Sequence, residues 1–172
     1  MSDAINELVT VSHVDLDRYL GDWFEICRLP LKWEDADASD ISATYSLEPG
    51  GEIKVENRCL DNEGKPDRAV GAAVPQDASN AKLKVSFLPQ YLRWIPFTQG
   101  DYWIIHLAAD YSVALVGTPD RQHLWLLARK AALPSDIVED YLAVAHAQGF
   151  DLGKLITPRQ SGRKVPDTAF DD

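Results

Sequence analysis

The sequence contains no apolar run close to the roughly 20 residues that a helix needs to cross a bilayer. Basic residues are also scarce, since 17 Lys and Arg stand against 27 Asp and Glu, which gives a net charge of −10. No basic cluster offsets this excess locally, and an acidic surface repels phosphate groups. The composition therefore disfavours both a membrane-spanning helix and nucleic acid as a partner.

The amino terminus lacks the features of an export signal. Residues 1–8 (MSDAINEL) have no basic n-region, no apolar h-region and no cysteine that could receive a lipid. As written, the sequence predicts a cytoplasmic protein. The expectation changes to the periplasm or the outer membrane if an export signal preceded this sequence.

Motifs for metal binding, cofactor binding and covalent catalysis are missing as well. The sequence has no CxxC pair, no glycine-rich phosphate loop, no Ser/His/Asp constellation and no spacing typical of metal ligands. We therefore expect neither a metal nor a cofactor.

What the sequence does contain is a series of short segments in which apolar and polar residues alternate, the pattern of β-strands. Its 172 residues suffice for one domain with a substantial core. Turn formers such as 49–51 (PGG) and 77–80 (DASN) separate the segments, so neighbouring strands are expected to be antiparallel. The predicted strands are 22–29, 41–48, 52–60, 69–75, 81–88, 101–108, 112–118 and 123–130.

Eight antiparallel strands favour an all-β fold, an up-and-down barrel, because closure removes the exposed edges of an open sheet. A β-sandwich is the main alternative. One strong helix is predicted over 135–148, with an apolar stripe that would pack on the outside of the barrel, and 151–156 are expected to add a short final strand. The predicted organisation is an N-terminal lead over 1–13, a barrel domain with the helix over 14–157 and a flexible tail over 158–172.

Three separated motifs link these strands. Residues 21–26 (GDWFEI) place a glycine two positions before Trp23, which is typical of a bend that sends a large ring under a sheet. Such a triplet alone is also common in ordinary cores. Two more motifs follow, at 109–111 (ADY) between the sixth and seventh strands and at 124–129 (LWLLAR) on the eighth.

Together these motifs resemble the three signature regions of lipocalins. The resemblance covers about residues 14–156, and through 43–47 (ATYSL) and 100–103 (GDYW) it is strongest toward bacterial lipocalins, apolipoprotein D and the temperature-induced lipocalins of plants. Phe24 and Ala109 stand where a tyrosine and a threonine are usual. The resemblance implies an eight-stranded barrel whose interior, the calyx, holds a small hydrophobic molecule.

The resemblance also implies roles for individual residues, beginning with a guanidinium that stacks on an indole at the closed end of the barrel. The structural signature comprises Gly21, Trp23, Asp110, Tyr111 and Arg129. The positions that match ligand-lining ones are Tyr45, Asn57, Phe87, Tyr102 and Trp125. Because every second side chain of a strand shares a face, strand alternation extends the inward set. It adds Glu25, Cys27, Val55, Cys59, Val85, Ile104 and His106.

The two cysteines fall on the first and third predicted strands. Two steps across a sheet separate Cys27 from Cys59 by about 9.5 Å, beyond the roughly 7 Å limit on the Cα separation of a disulfide. We therefore expect free thiols. Lipocalin-type prostaglandin synthases use a cavity cysteine, so a thiol-dependent isomerase-type enzyme using Cys27 or Cys59 is the alternative function, although no Lys or Arg is fixed beside either thiol by spacing.

His106 is the one histidine of four on the predicted inward face. A haem iron would need such a ligand, but no spacing supplies a second one, and a single interior histidine is more often a hydrogen-bonded core group. Haem is therefore not expected.

The connection between the fifth and sixth predicted strands is apolar, whereas loops are normally polar. Residues 88–97 (LPQYLRWIPF) carry one charge, at Arg93. Chain order places this loop at the open mouth of the barrel, where a lid, a peripheral membrane contact and a dimer contact are the three alternatives. Its large apolar residues are Tyr91, Leu92, Trp94, Ile95 and Phe97.

These observations lead to one functional expectation. The protein is expected to be a non-enzymatic lipocalin, a monomer or a homodimer, that binds a fatty acid, a lysophospholipid or a similar lipid. Its role would be transport, storage or scavenging in membrane maintenance or stress.

Overall fold

A computed structural model describes residues 7–30, 37–87 and 99–170 of the chain. Within these ranges eight strands form a closed barrel, in which each strand pairs with its neighbours in chain order and the eighth pairs with the first. Every pairing is antiparallel, so the predicted up-and-down barrel is confirmed and the sandwich is wrong. The strands are β1 Gly21–Arg28, β2 Ser39–Leu47, β3 Ile53–Leu60, β4 Pro66–Pro75, β5 Lys82–Phe87, β6 Gln99–Leu107, β7 Val113–Gly117 and β8 Leu124–Ala128.

A short helix, α1 (Leu16–Tyr19), closes one end of the barrel. Just before it, the amide of Val14 donates to the carbonyl of Ser79 in the β4–β5 turn (2.8 Å). On α1 itself, Arg18 donates to the carbonyl of Ala109 in the β6–β7 turn (3.1 Å). We call this the closed end. The last residues of β1, β3, β5 and β7 lie at the opposite, open end, because antiparallel strands alternate in direction.

The second helix, α2 (Ser135–Ala147), packs on the outside of the barrel, as predicted. Tyr141 and Ala145 are its buried residues, and they join an apolar cluster formed by the outward side chains of β1, β7 and β8. The helix is followed by Gly149 at φ +95°, a left-handed conformation that favours glycine and ends a helix. A separate apolar cluster fills the interior of the barrel, so the wall is buried on both faces beneath α2.

Three register shifts interrupt the alternation of the wall: one in β2, between Ser39 and Ser42, and two β-bulges in β1 and β6 that bear on the site. In β1, Glu25 pairs with Leu127 but the next paired residue is Cys27, opposite Leu126. In β6, the register shifts in the same way between Ile104 and His106. Each bulge inserts one extra residue, so that every side chain beyond it points to the face opposite to the one that simple alternation predicts.

Near the open end, the chain that follows α2 completes the wall between β1 and β2. The pairing of β1 with β2 ends at Phe24 and Ser42. Beyond this point, Arg28 and Ile156 exchange two main-chain hydrogen bonds of 2.9 and 2.8 Å. This single bridge is what the structure shows of the short final strand predicted over 151–156.

A glutamine amide continues this seam. The side-chain nitrogen of Gln160 donates both to the carbonyl of Glu25 on β1 (2.8 Å) and to the carbonyl of Ile41 on β2 (2.9 Å). The side chain therefore bridges two strands that no longer bond each other directly.

Further along, the chain lies against β3. Val165 is buried, and its carbonyl accepts a hydrogen bond from Arg58 (2.8 Å). The same guanidinium pairs with Asp167 and lies over the ring of Phe170, 5.3 Å from its centroid. These contacts fall in the segment predicted to be a flexible tail, and its mobility stays a prediction.

Candidate functional site

The inward face of the barrel is mostly apolar, yet several of its side chains are only half-buried, and four of these bear on the site. They lie on four different strands and all belong to the positions that the resemblance assigned to ligand. Side chains inside a completely filled barrel would be shielded from solvent, so their partial exposure indicates an interior space, which we call the lumen. The four are Asn57, Phe87, Tyr102 and Trp125.

Other predicted lining residues lie on the same face but are buried in the interior cluster. Together with the half-buried four, they form one inward surface. Those that the structure brings together there are Tyr45, Val55, Val85 and Ile104.

The closed end is held by the signature residues. The guanidinium carbon of Arg129 lies 3.8 Å from the centroid of the Trp23 ring, so the predicted stacking is confirmed. Arg129 also donates to the carbonyls of Tyr111 (3.1 Å), Asp22 (3.0 Å) and Arg18 (2.8 Å), which ties β1, α1 and the β6–β7 turn together. The ring of Trp23 is fully buried, and this corner of the barrel is structural.

Gly21 and Asp110 support the same corner. Gly21 has φ +103°, and a Cβ there would lie 3.3 Å from Nη1 of Arg129, so the guanidinium needs a residue without a side chain. Asp110 accepts hydrogen bonds from the amide and hydroxyl of Ser112, which holds the turn before β7.

Three tyrosine hydroxyls meet inside the barrel above Trp23. The hydroxyl of Tyr102 lies 2.7 Å from that of Tyr19 and 2.9 Å from that of Tyr45. We call these residues the tyrosine trio. Burial raises the pKa of all three phenols, that of Tyr45 to about 12, so they are protonated at neutral pH. Tyr19, which comes from α1, was not among the predicted site residues.

The trio lines a small cavity near the closed end. The cavity leaves about 10 Å³ for the centres of water-sized molecules, which is room for about one water. Its other walls are aliphatic, contributed by α1 and by β3 to β6. This part of the barrel is therefore almost filled.

A buried ion pair lies on the inward face of β1. Arg28, which is fully buried, donates from Nη1 to Oε2 of Glu25 (3.0 Å). Arg28 pairs directly with Trp125 and Glu25 with Leu127, which are both inward residues of β8. Glu25 was predicted to face inward and does. Arg28 was missed, because the bulge that turns it inward leaves no trace in the sequence.

The two bulges overturn two predicted positions. Cys27 lies in the apolar cluster beneath α2, and His106 is exposed on the outside, where its ring meets that of Tyr141 at 4.8 Å. Both residues come directly after a bulge, so the alternation that placed them inside is wrong for them. The position that His106 would have filled is taken by Leu107, which packs against the interior cluster.

Both cysteines are buried and free, as predicted. Burial and the nearby charge of Glu25 raise the pKa of Cys27 to about 12, so its thiol is protonated at neutral pH. Cys59 lies with Ala38 and Ile41 in a small cluster of its own, apart from the interior cluster. The structure therefore provides no activated thiolate at Cys27 and does not bring the two cysteines into one site.

At the open end, His123 stacks on Trp125 with a centroid separation of 6.1 Å. Burial lowers the pKa of His123, although Asp120 opposes this shift. The apolar loop Tyr91, Leu92, Trp94, Ile95 and Phe97 lies outside the described residues, so the three alternatives for it stay predictions.

Two features are absent from the ranges that the structure describes. No group of three or more His, Cys, Asp and Glu side chains is placed to hold a metal ion there. In the same ranges, neither helix has the length and apolar character needed to cross a bilayer.

Comparison with known proteins identifies relatives along nearly the whole chain. Residues 14–160 match a family model described as a lipocalin-like domain. The chain is 36% identical to temperature-induced lipocalin-1 of Arabidopsis thaliana over 170 residues, which covers 96% of this chain and 90% of that protein. Over 157 residues it is 35% identical to the outer membrane lipoprotein Blc of Escherichia coli K12, covering 90% and 84%. Apolipoprotein D of Mus musculus is 31% identical over 156 residues, covering 86% and 77%.

Solved structures agree at the level of fold. Apocrustacyanin C1 superposes with a TM-score of 0.71 at 14% identity, covering 90% of this chain and 84% of that one. Insecticyanin from the tobacco hornworm Manduca sexta gives a TM-score of 0.67 at 19% identity, covering 98% and 90%. At these identities the likeness shows a common barrel and nothing about the ligand.

Proposed function

The chain belongs to the lipocalin family, and on this basis we propose that its barrel binds and carries a hydrophobic small molecule. The observation that carries the proposal is the inward set of half-buried side chains, Asn57, Phe87, Tyr102 and Trp125. An aromatic and apolar lining with a few polar groups is the usual composition of a small-molecule site.

The relatives support a lipid as the ligand. One is named an apolipoprotein, another an outer membrane lipoprotein and a third a temperature-induced lipocalin. We propose a fatty acid, a lysophospholipid or a similar single-chain lipid, and a role in membrane maintenance or stress. Burial of the chain would contribute roughly 25 cal/mol per Å² of apolar surface, less the cost of immobilising the ligand.

The chemistry of the described interior favours binding over catalysis. The alternative function, a thiol-dependent isomerase, needs a nucleophilic thiolate next to the ligand. Cys27 instead points away from the lumen, and its pKa of about 12 keeps it protonated.

The first experiment identifies the ligand and is independent of the binding site. Mass spectrometry of organic extracts from the purified protein is expected to find a single-chain lipid in stoichiometric amount. Titration of the delipidated protein with hexadecanoate and with lysophosphatidylcholine, followed by quenching of tryptophan fluorescence, measures the two affinities.

A matched pair of variants tests whether the ligand binds in the lumen. Asn57→Phe adds bulk to the inward face of β3, where its cross-strand neighbours Ala43 and Ala69 are small. It is expected to weaken lipid binding at least tenfold. Lys54→Phe makes the same kind of change on the exposed outer face of the same strand and is expected to leave affinity unchanged. Equal affinities for the two variants would contradict binding inside the barrel.

A further inference from the structure

The tyrosine trio holds one hydrogen-bond donor more than it can use. Three phenols carry three O–H donors, but only two hydrogen bonds join them, Tyr19 to Tyr102 and Tyr45 to Tyr102. Tyr102 either donates a hydrogen bond to one neighbour and accepts one from the other, or it accepts from both. In each arrangement one hydrogen has no acceptor within the trio.

Among the residues that the structure describes, no acceptor for this hydrogen is present. Within those ranges the three hydroxyls make no further hydrogen bond, and the other side chains that line the adjoining cavity are aliphatic. Tyr19 and Tyr45 are 4% and 7% exposed, whereas Tyr102 is half-buried, so the free hydrogen is shielded from bulk water when it lies on Tyr19 or Tyr45. A buried donor without a partner destabilises the unliganded barrel, and an acceptor oxygen from a ligand would remove that cost.

We propose that the tyrosine trio binds the terminal acceptor oxygen of a single-chain lipid, a carboxylate or a carbonyl, so that the ligand enters the barrel polar end first. This inference rests on the proposed function. The size of the cavity limits the group to about one oxygen atom at the trio. A phosphate headgroup is too large for that space, and a lysophospholipid would enter with its chain first.

One cation at the closed end acts on the trio. The phenols are neutral donors, and the guanidinium of Arg129, which stacks on Trp23, acts electrostatically on all three of them. The opposing charges are Asp22, which acts on Arg129, and Glu25, which acts on Tyr45 and is paired with Arg28. The cavity wall itself consists of carbon atoms, so the free hydroxyl turns toward the incoming oxygen when the ligand binds.

The test removes the hydroxyls and keeps the rings. In the triple variant Tyr19→Phe/Tyr45→Phe/Tyr102→Phe, all partners of the trio disappear together, which leaves no buried polar group behind and is expected to preserve folding. Affinity for hexadecanoate should fall about tenfold or more, whereas affinity for palmitoyl lysophosphatidylcholine should not change. Methyl hexadecanoate separates the two acceptors: a smaller loss than that of the acid indicates recognition of the carboxylate charge. Tyr141→Phe, outside the barrel, is the matched control and should behave as the wild type.

The outcomes separate the inference from the function. If the wild type binds neither lipid, the proposed function fails. If it binds both and the triple variant keeps full affinity for hexadecanoate, the function stands and the polar-end-first orientation is wrong.

A second measurement needs only the wild type. In hexadecanoate labelled with ¹³C at the carboxyl carbon, a carboxyl at the open end would titrate like a solvent-exposed acid, near pH 4 to 5 or about its ordinary pKa. A carboxyl bound at the trio is expected to keep one chemical shift through that range. A normal titration of the bound ligand would overturn the inference whatever the variants do.

Discussion

The buried pair of Glu25 and Arg28 offers the sharpest test of the register that the bulge in β1 creates. Replacing Arg28 with Met leaves the carboxylate of Glu25 in the barrel interior without the cation that it contacts at 3.0 Å. Removal of one partner of a buried ion pair typically costs about 3–5 kcal/mol. For a domain of this size that corresponds to a fall in Tm of roughly 6–20 °C.

A double-mutant cycle measures the pair itself. Glu25→Gln/Arg28→Met removes both charges, so its loss of stability should be smaller than the sum of the two single losses, with a coupling energy above about 2 kcal/mol. Lys65 and Glu63 are the control, because they also lie 3.0 Å apart but are 72% and 65% exposed. Their coupling should stay under about 1 kcal/mol. Urea unfolding of the four variants of each cycle gives both numbers, and equal couplings would refute the inward position of Arg28.

Three other predictions concern the thiol, the closed end and the C-terminal segment. Cys27 should resist alkylation by iodoacetamide at pH 7 for as long as the protein stays folded, because its pKa is about 12. Rapid alkylation, detected by mass spectrometry, would restore the enzyme hypothesis. Trp23→Ala should lower the free energy of unfolding by about 3–5 kcal/mol, and an unchanged Tm would contradict a packed floor. Burial raises the pKa of Asp22, but hydrogen bonds from Thr44 and Lys164 outweigh this effect and hold the pKa below the ordinary 3.8. A hydrogen bond from Arg58 lowers the pKa of Asp167 below the same value. Asp22 on β1 pairs with Lys164 of the C-terminal segment, and Asp167 of that segment pairs with Arg58 on β3. Both contacts are therefore complete above pH 3.8 and are lost as the pH falls through the lower folded values. A spin label on Thr168→Cys should then gain mobility, and constant mobility down to about pH 2 would contradict the contacts.

The strands and the outer helix were predictable because their signals are local: alternation and turn residues define a strand without reference to its partner. The stacking of Arg129 on Trp23 was implied only by the resemblance of the three motifs to those of lipocalins. The orientation of the side chains beyond a bulge was not predictable, since a bulge depends on how one strand pairs with its neighbour. The segment around Cys27 alternates equally well in either register, and only its pairing with Leu126 decides which residue enters the barrel.

The tyrosine trio and the contacts of the C-terminal segment were not predicted from the sequence, for a different reason. The contact of Tyr19 with Tyr102 joins residues 83 positions apart, so no local pattern indicates it. The polar composition of the tail is typical of a mobile segment. Its contacts, such as that of Gln160 with two strand carbonyls, use polar groups that no hydrophobic pattern reveals.

The bulges also bear on what the barrel can do. With uninterrupted alternation, the lumen would hold the thiol of Cys27 and the imidazole of His106, a nucleophile and a base. The bulges move both to the outer face and bring in Arg28 and Leu107. The polar groups on the described inward face include protonated phenols, the amide of Asn57, the ion pair of Glu25 and Arg28 and, on β3, the buried thiol of Cys59. The phenols, the amide and the ion pair donate and accept hydrogen bonds but are not activated for attack. Hydrogen-bonding groups of this kind orient a ligand without reacting with it. This is the physical reason for preferring binding and transport over catalysis in this barrel.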